Sequence, residues 1–177
     1  SNKILDLMNR KHTISDYYKI YDKLREINPK IKFSSDFIIA YPGEDEQDLE
    51  NTIEIIKKIK FINSYSFIFS PRPGTVAADL KLIEKKISMV RLEKIQTQLF
   101  ENQIEMNKSL KNSVIEVLVE NLTEDKIKVF GRSEYMTPVI FNGKEEDIGK
   151  IVQVKIVSSN RSTLFGQSVI NLNQKVA

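Results

Sequence analysis

Hydrophobic positions along this chain change period once, near residue 113. Before that point they recur every three or four residues, interrupted by two short continuous runs; after it they alternate. Ile4, Leu5, Leu7 and Met8 read as the end of a helix. Thr13-Ile14-Ser15-Asp16 has the form of a capping box with Asp in place of Glu. Tyr17, Ile20, Tyr21 and Leu24 follow at helical spacing until Asn28-Pro29 ends the helix. Residues 32–40 predict a strand whose apolar end suits a parallel strand buried on both faces. Residues 45–60 predict a helix with Leu49, Ile53, Ile56 and Ile59 on one face and an acid-rich start that suits the helix dipole. A second strand run, 65–70, ends in Pro71-Arg72-Pro73-Gly74-Thr75. Residues 81–111 contain neither Gly nor Pro and predict a long helix, with Ile87, Val90, Leu92, Ile95 and Leu99 as its buried stripe.

From Ser113 onwards, Val114, Glu116, Leu118 and Glu120 alternate with Ile115, Val117 and Val119. Further strands are expected at 126–131, 136–141, 150–158 and 163–170, with turns at Asn142-Gly143 and Asp147-Ile148-Gly149. Five short strands in so few residues imply a small OB-like all-β barrel. The expected class is therefore α/β followed by β. Residues 1–112 are expected to form the α/β part, open or barrel, with a connecting helix, and 113–177 the small barrel. The first part holds a strand, a Gly/Pro turn, a helix, a strand and a second Gly/Pro turn. Sites in α/β folds gather at such strand ends.

Composition narrows the chemistry. The chain has 177 residues, 41% of them hydrophobic. No run approaches the roughly 18 apolar residues of a membrane span, and no signal-peptide pattern stands at the start. The chain opens on Ser1-Asn2 with helix pattern almost at once, so it is expected to be a piece of a longer polypeptide. It has no cysteine, which excludes disulfides and thiolate-held zinc or iron–sulfur sites within these residues. The single imidazole, His12, is expected at the surface. The net charge is +3, and residues 113–177 carry 8 basic and 8 acidic side chains, so neither part is a polybasic module.

Three strings carry a resemblance. Met8-Asn9-Arg10-Lys11-His12-Thr13, Asp36-Phe37-Ile38-Ile39-Ala40-Tyr41-Pro42-Gly43-Glu44 and Phe69-Ser70-Pro71-Arg72-Pro73-Gly74-Thr75 stand in this order. Together they resemble the radical S-adenosylmethionine methylthiotransferases. The tail, with Gly131-Arg132 and Phe165-Gly166, resembles that family's C-terminal TRAM domain. Asn9-Arg10-Lys11 and the turn at 70–75 tilt the likeness towards tRNA enzymes that add a methylthio group to C2 of N6-isopentenyladenosine next to the anticodon. Enzymes acting on threonylcarbamoyl-adenosine tRNA or on a ribosomal protein are the related alternative. The family holds two 4Fe-4S clusters on cysteines that this chain lacks. What remains resembles the C-terminal part of the family's partial (β/α) radical barrel with its connecting helix, residues 1–112, plus TRAM, residues 113–177, and activity is not expected of these residues alone. A non-catalytic RNA-binding module and an inert remnant of a split gene are the competing readings. For the whole enzyme the resemblance implies S-adenosyl-L-methionine and two 4Fe-4S clusters, a tRNA anticodon stem-loop as partner, a monomer, and a cytoplasmic location away from membranes.

Candidate site residues follow. Strand 36–40 is implied to line the adenosylmethionine pocket, with backbone groups near Ile38 and Ile39 meeting the adenine and Gly43 taking a positive φ or allowing close backbone approach. The family usually has Gly where this chain has Ala40, which bears on the fit of that pocket. Arg10 is implied to meet the cofactor carboxylate. Asp36 is expected to be a buried carboxylate that needs a partner, either a ligand or a neighbouring group. Arg72 sits in a turn stiffened by Pro71 and Pro73, with Ser70 and Thr75 able to hold it, and could aim at cofactor, phosphate or a carboxylate. In the tail, Lys128, Arg132 and Arg161 are the RNA-binding candidates, with Tyr135 and Asn160 beside them. Phe130 and Phe165 are read as core. Lys85, Lys86, Arg91 and Lys94 are read as a solvated helix face that could extend the footprint.

Overall fold

A computed structural model describes residues 1–169. The end of the predicted strand at 170 and the rest of the tail lie outside the described residues. The chain divides into two compact units, Ser1–Asn102 and Gln103–Ala177, and the division falls inside one uninterrupted helix.

The first unit starts with α1 (Asn2–Leu7), six residues capped by the Ser1 hydroxyl. α2 (Ile14–Ile27) begins at the expected box: the Asp16 N–H donates to Thr13 Oγ1 and the Thr13 N–H donates to the Asp16 carboxylate. β1 (Asp36–Ile39) and β2 (Tyr65–Ile68) pair in parallel, Ile38 opposite Phe67, with α3 (Glu46–Ile59) crossing between them. Val76–Asp79 form a short 3-10 turn, and α4 (Lys85–Ser109) follows. The predicted α3 face of Leu49, Ile53, Ile56 and Ile59 is buried throughout. It meets Ile39, Phe61, Ile95 and Leu99 in one core, with Tyr17, Tyr21, Phe37, Ile68 and Leu92 at its margin.

Two expectations for this unit are corrected. The strands are covered on one face only within the described residues. Phe37 and Ile39 turn to the helices, while Ile38, Tyr65 and Phe67 are 38%, 65% and 54% exposed. Asp36 shares that open side and is exposed, so its carboxylate needs no buried partner. The buried stripe of α4 also differs. Ile95 and Leu99 belong to it, but Ile87 and Val90 are exposed and Ser88, Arg91 and Asn102 are buried instead. Counting back from Ile95 by three and four residues reaches 92, 91 and 88, so helical geometry outweighed hydrophobicity at 87 and 90.

The second unit is a closed barrel of β3 (Val114–Leu122), β4 (Val129–Ser133), β5 (Pro138–Asn142), β6 (Ile151–Ser159) and β7 (Leu164–Ser168). The strands close in the order β3-β4-β5-β7-β6, with β5 and β7 parallel and the other pairs antiparallel. The interior is filled by Ile115, Val117, Val119, Val129, Val139, Phe141, Val154, Ile156 and Leu164. Two glycines make room for it. A Cβ on Gly131 would lie 2.3 Å from the Leu118 carbonyl oxygen, and one on Gly166 would lie 2.4 Å from a Val154 methyl. The residue pairs that suggested a TRAM-like tail are thus places where neighbouring strands approach too closely for a side chain.

Gly131→Ala is expected to cost about 2–3 kcal/mol, because the obstructing atom is backbone and cannot rotate away. Gly149→Ala is expected to cost only about 1 kcal/mol. Its site is open and only its left-handed φ of 83° opposes a side chain. Urea unfolding of the two variants measures the difference.

Candidate functional site

β1 ends on an unusual backbone. Ala40 has φ 59°, in the region that glycine tolerates best, and Gly43 has φ 89°. The resemblance implies Gly as the usual residue at position 40, and a left-handed φ is one that glycine adopts without steric cost. A turn of this shape directs the Ala40 N–H away from the strand ladder. The Glu44 carboxylate accepts it at 3.1 Å. Arg91 of α4 donates from one nitrogen to both the Glu44 side chain and the Glu44 carbonyl, each at 2.9 Å. Both charged side chains are buried, at 10% and 6% exposure. Burial raises the Glu44 pKa, and Arg91 and the Ala40 N–H only partly offset it.

The next residues cap α3. Asp45 and Asp48 form a reciprocal box, with each backbone N–H donating to the other's carboxylate. The Ser1 hydroxyl donates to Asp48 at 2.6 Å, and the Lys3 ammonium reaches Asp45 at 2.6 Å and Asp48 at 2.5 Å. Burial works to raise the Asp48 pKa. The Asp45 N–H, Lys3 and Ser1 outweigh it and hold the carboxyl at about 2. The Tyr41 hydroxyl donates to the Leu7 carbonyl at 3.0 Å, so α1 also grips this turn. The turn after β2 lies beside it. The Phe69 N–H donates to the Ile39 carbonyl at 2.8 Å, and the Phe69 and Tyr41 rings meet edge-on at 4.9 Å. Thr75 holds the Pro-rich turn by donating its hydroxyl to the Arg72 carbonyl at 2.8 Å.

The six candidate residues of this unit are not all brought together. Asp36 and Ile38 share the open face of the sheet with Tyr65 and Phe67, whose rings stack at 6.4 Å. The Ile39 side chain is buried towards the helices and cannot reach that face. Gly43 lies within the clamped turn, 3.4 Å from Leu7 when given a Cβ. Arg10, just after α1, and Arg72 are exposed, as is His12. Sequence reasoning missed the Glu44–Arg91 pair. Arg91 neither extends a basic surface nor joins a solvated face. The signal was its place four residues before Ile95 on the buried stripe. Lys94 is likewise paired, with Glu46 at 2.6 Å, while Lys85 and Lys86 are exposed.

In the second unit Arg132 points outward from β4. Its Nε lies 3.3 Å from Glu120, it donates to the Met136 carbonyl at 3.3 Å, and its guanidinium lies 5.8 Å from the Phe130 ring centre. Lys128 is exposed in the β3–β4 turn, where its N–H and carbonyl bond Thr123. Arg161 is exposed in the β6–β7 turn, whose Asn160 and Arg161 carbonyls accept from Asn107 of α4 at 3.0 Å. The Asn160 amide oxygen accepts from Ser162 and Thr163 N–H groups, so it shapes its own turn. Tyr135 is half-buried. Phe130 and Phe165 are not core, contrary to expectation. The inward positions beside them are held by Val129, Gly131, Leu164 and Gly166, and strand alternation turns both rings outward, half-buried.

Comparisons with known proteins match this layout. Residues 108–169 match the TRAM domain. The chain is 65% identical over its whole length to the tRNA-2-methylthio-N(6)-dimethylallyladenosine synthase of Pelagibacter ubique and covers 40% of that protein. Proteins of the same name from Orientia tsutsugamushi and Wolbachia pipientis are 44% and 39% identical over 169 residues, 38% of their own lengths. The chain thus spans about two-fifths of the length of the curated relatives it matches, in their C-terminal part. The likeness read from the motifs is borne out. No helix among the described residues is long and apolar enough to cross a membrane.

Asp48→Asn is expected to cost on the order of 2 kcal/mol at pH 7. A carboxyl with a depressed pKa stabilises the fold above its unfolded value of 3.8, so the difference from the parent shrinks as pH falls from about 4 to about 2. Stability measured across that range tests the sign. Arg91→Leu, which strands a buried Glu44, is expected to cost about 3 kcal/mol, against less than about 0.5 kcal/mol for Lys85→Ala on the same helix.

Proposed function

We propose that this chain is the C-terminal part of an enzyme that adds a methylthio group to C2 of N6-isopentenyladenosine beside the tRNA anticodon. The first unit supplies one wall of an adenosylmethionine pocket, and the second docks tRNA through its anticodon stem-loop. The enzyme works as a monomer in the cytoplasm. The observation that carries this reading is the 65% identity to a tRNA-2-methylthio-N(6)-dimethylallyladenosine synthase, unbroken across both units.

The open face of β1 and β2 supports the cofactor wall. Ile38, Tyr65 and Phe67 offer apolar surface, Asp36 offers a carboxylate at its edge, and among the described residues β1 pairs on one side only, which leaves backbone groups for a purine. Ile39 contributes through its backbone, since its side chain is committed to the core. Gly43 keeps the turn at the strand end in shape. Arg10 and Arg72 are free of ion pairs among the described residues and suit the carboxylate of the amino-acid end. Adenosylmethionine, when bound, supplies the reactive carbon fragment for hydrogen removal. The 4Fe-4S clusters do not fit this chain. They need thiolates, the chain has no cysteine, and the described residues include no group of three or more His, Cys, Asp or Glu able to hold a metal. No step through a cluster belongs to these residues.

A chimera tests the reading: residues 1–177 replace the matching C-terminal part of the Pelagibacter ubique relative. In cells lacking their own enzyme, nucleoside mass spectrometry of tRNA should find the 2-methylthio-N6-isopentenyl product. Its absence from a soluble chimera would overturn the proposal, and methylthiolated threonylcarbamoyl-adenosine in its place would favour the related branch. Separately, the isolated 177-residue chain should bind an anticodon stem-loop with a log–log salt slope of about −2 to −3. That is the value for three phosphate contacts by Lys128, Arg132 and Arg161.

A further inference from the structure

We infer that Glu120 is a built-in competitor for phosphate: its carboxylate occupies Arg132 in the free protein, and an RNA must displace it to dock there. The inference rests on the tRNA-docking reading and deepens it, by naming a residue that limits how tightly the barrel holds an RNA backbone.

The pairing comes from a bulge in β3. Val119 stands opposite Gly131 and Asn121 stands opposite Phe130, so Glu120 is an extra residue with no partner across the ladder. Bulges re-aim a side chain. Arg132 stands opposite Leu118, yet its Nε lies 3.3 Å from the Glu120 carboxylate. The outward carboxylate at a regular position of the same strand behaves differently. Glu116 stands opposite Gln153 of β6 and accepts from its amide at 3.1 Å. The tail carries 8 acidic side chains against 8 basic ones, so where each acid sits decides which cations an RNA can use.

Arg132 does not depend on this carboxylate for its place. It also donates to the Met136 carbonyl at 3.3 Å, and its guanidinium lies 5.8 Å from the Phe130 ring centre. Without Glu120 the cation therefore stays on the outward wall with its fork of donors open to another anion. A guanidinium accepts a carboxylate and a phosphate with the same geometry, so the two compete for one site. The side chains are 39% and 31% exposed, so an RNA can reach both, and the displaced carboxylate is hydrated rather than stranded. Ion pairs this exposed are weak. This one is weak enough for a phosphate to break and strong enough to lower the affinity severalfold.

The probe is an anticodon stem-loop, titrated onto the 177-residue chain at about 0.15 M salt, where distant charges are screened. Glu120→Gln, with an unchanged melting midpoint, should bind about two- to fivefold more tightly than the parent. Glu120→Ala, which cannot accept from Arg132 at all, should gain at least as much. Glu116→Gln removes the same charge from the same strand without touching Arg132 and should leave the affinity nearly unchanged. In an Arg132→Gln background the gain from Glu120→Gln should fall to that of Glu116→Gln. Unchanged or weaker binding by both Glu120 variants would overturn the competition, since Glu120 would then be idle or would orient Arg132 for RNA. An equal gain from Glu116→Gln, or a gain that survives Arg132→Gln, would overturn it by reducing the effect to net charge. A parent chain that binds no stem-loop would instead sink the docking reading itself.

Discussion

The first unit depends on one buried carboxylate. β1 stops at a residue in a left-handed conformation, and its N–H leaves the ladder with nothing to bond. Glu44 returns to accept that N–H, and Arg91 closes over both the Glu44 side chain and its carbonyl. Burial alone would favour the protonated acid, and the buried Arg91 Nε has no hydrogen-bond partner. A pair of this kind adds little net stability over a well-packed apolar pair. It does specify geometry. The next residues, Asp45 and Asp48, start α3 and collect Ser1 and Lys3. A continuous polar chain thus fixes where β1 ends, where α3 begins and how α1 and α4 lie against them. The apolar core behind it supplies the driving force, and the polar chain supplies the shape of the turn.

The second unit depends on alternation in a narrow cylinder. A five-stranded barrel has room inside for few side chains, and inward positions are taken mostly by Val, Ile, Leu and a single Phe, with Ser133 at the end of β4. At Gly131 and Gly166 even a methyl is excluded. Each of these glycines adjoins an outward residue, Phe130 or Arg132 on β4 and Phe165 on β7. The same constraint that empties the inside at these positions therefore leaves rings and a guanidinium on the outside. Two aromatics in a small all-β domain read naturally as core until the register shows that the core has no space for them.

How much of this was legible in the sequence follows from the range of each interaction. Local signals translated well. The capping box at Thr13, the α3 face and the five tail strands are set by neighbours in sequence, and they stand within a few residues of their expected bounds. Long-range pairings did not translate. Arg91 looks like one more cation on a charged helix until Glu44, 47 positions away, is known to fold beneath it. Asp36 and Ile38 belong to an apolar run that reads as buried on both sides, and only the pairing of β1 with β2 reveals a bare face. Between Ile38 and Ile39 the strand also divides the side chains, one to the bare face and one to the core, since successive side chains in a strand point opposite ways.

The two units are unequal as chemical objects. A two-stranded sheet is marginal on its own, and this one is held by helices on one face while the other shows Ile38, Tyr65 and Phe67 to solvent. The unit's one imidazole, His12, is exposed, and its described residues include no group of three or more His, Cys, Asp or Glu able to hold a metal. The barrel has no free edge, which removes the commonest route to unwanted pairing, and its outward surface combines rings with cations. A thiolate-held cluster has no ligands among these residues, because the sequence contains no cysteine. What these residues offer physically is surface: a bare sheet face in one unit and an outward wall of rings and cations in the other.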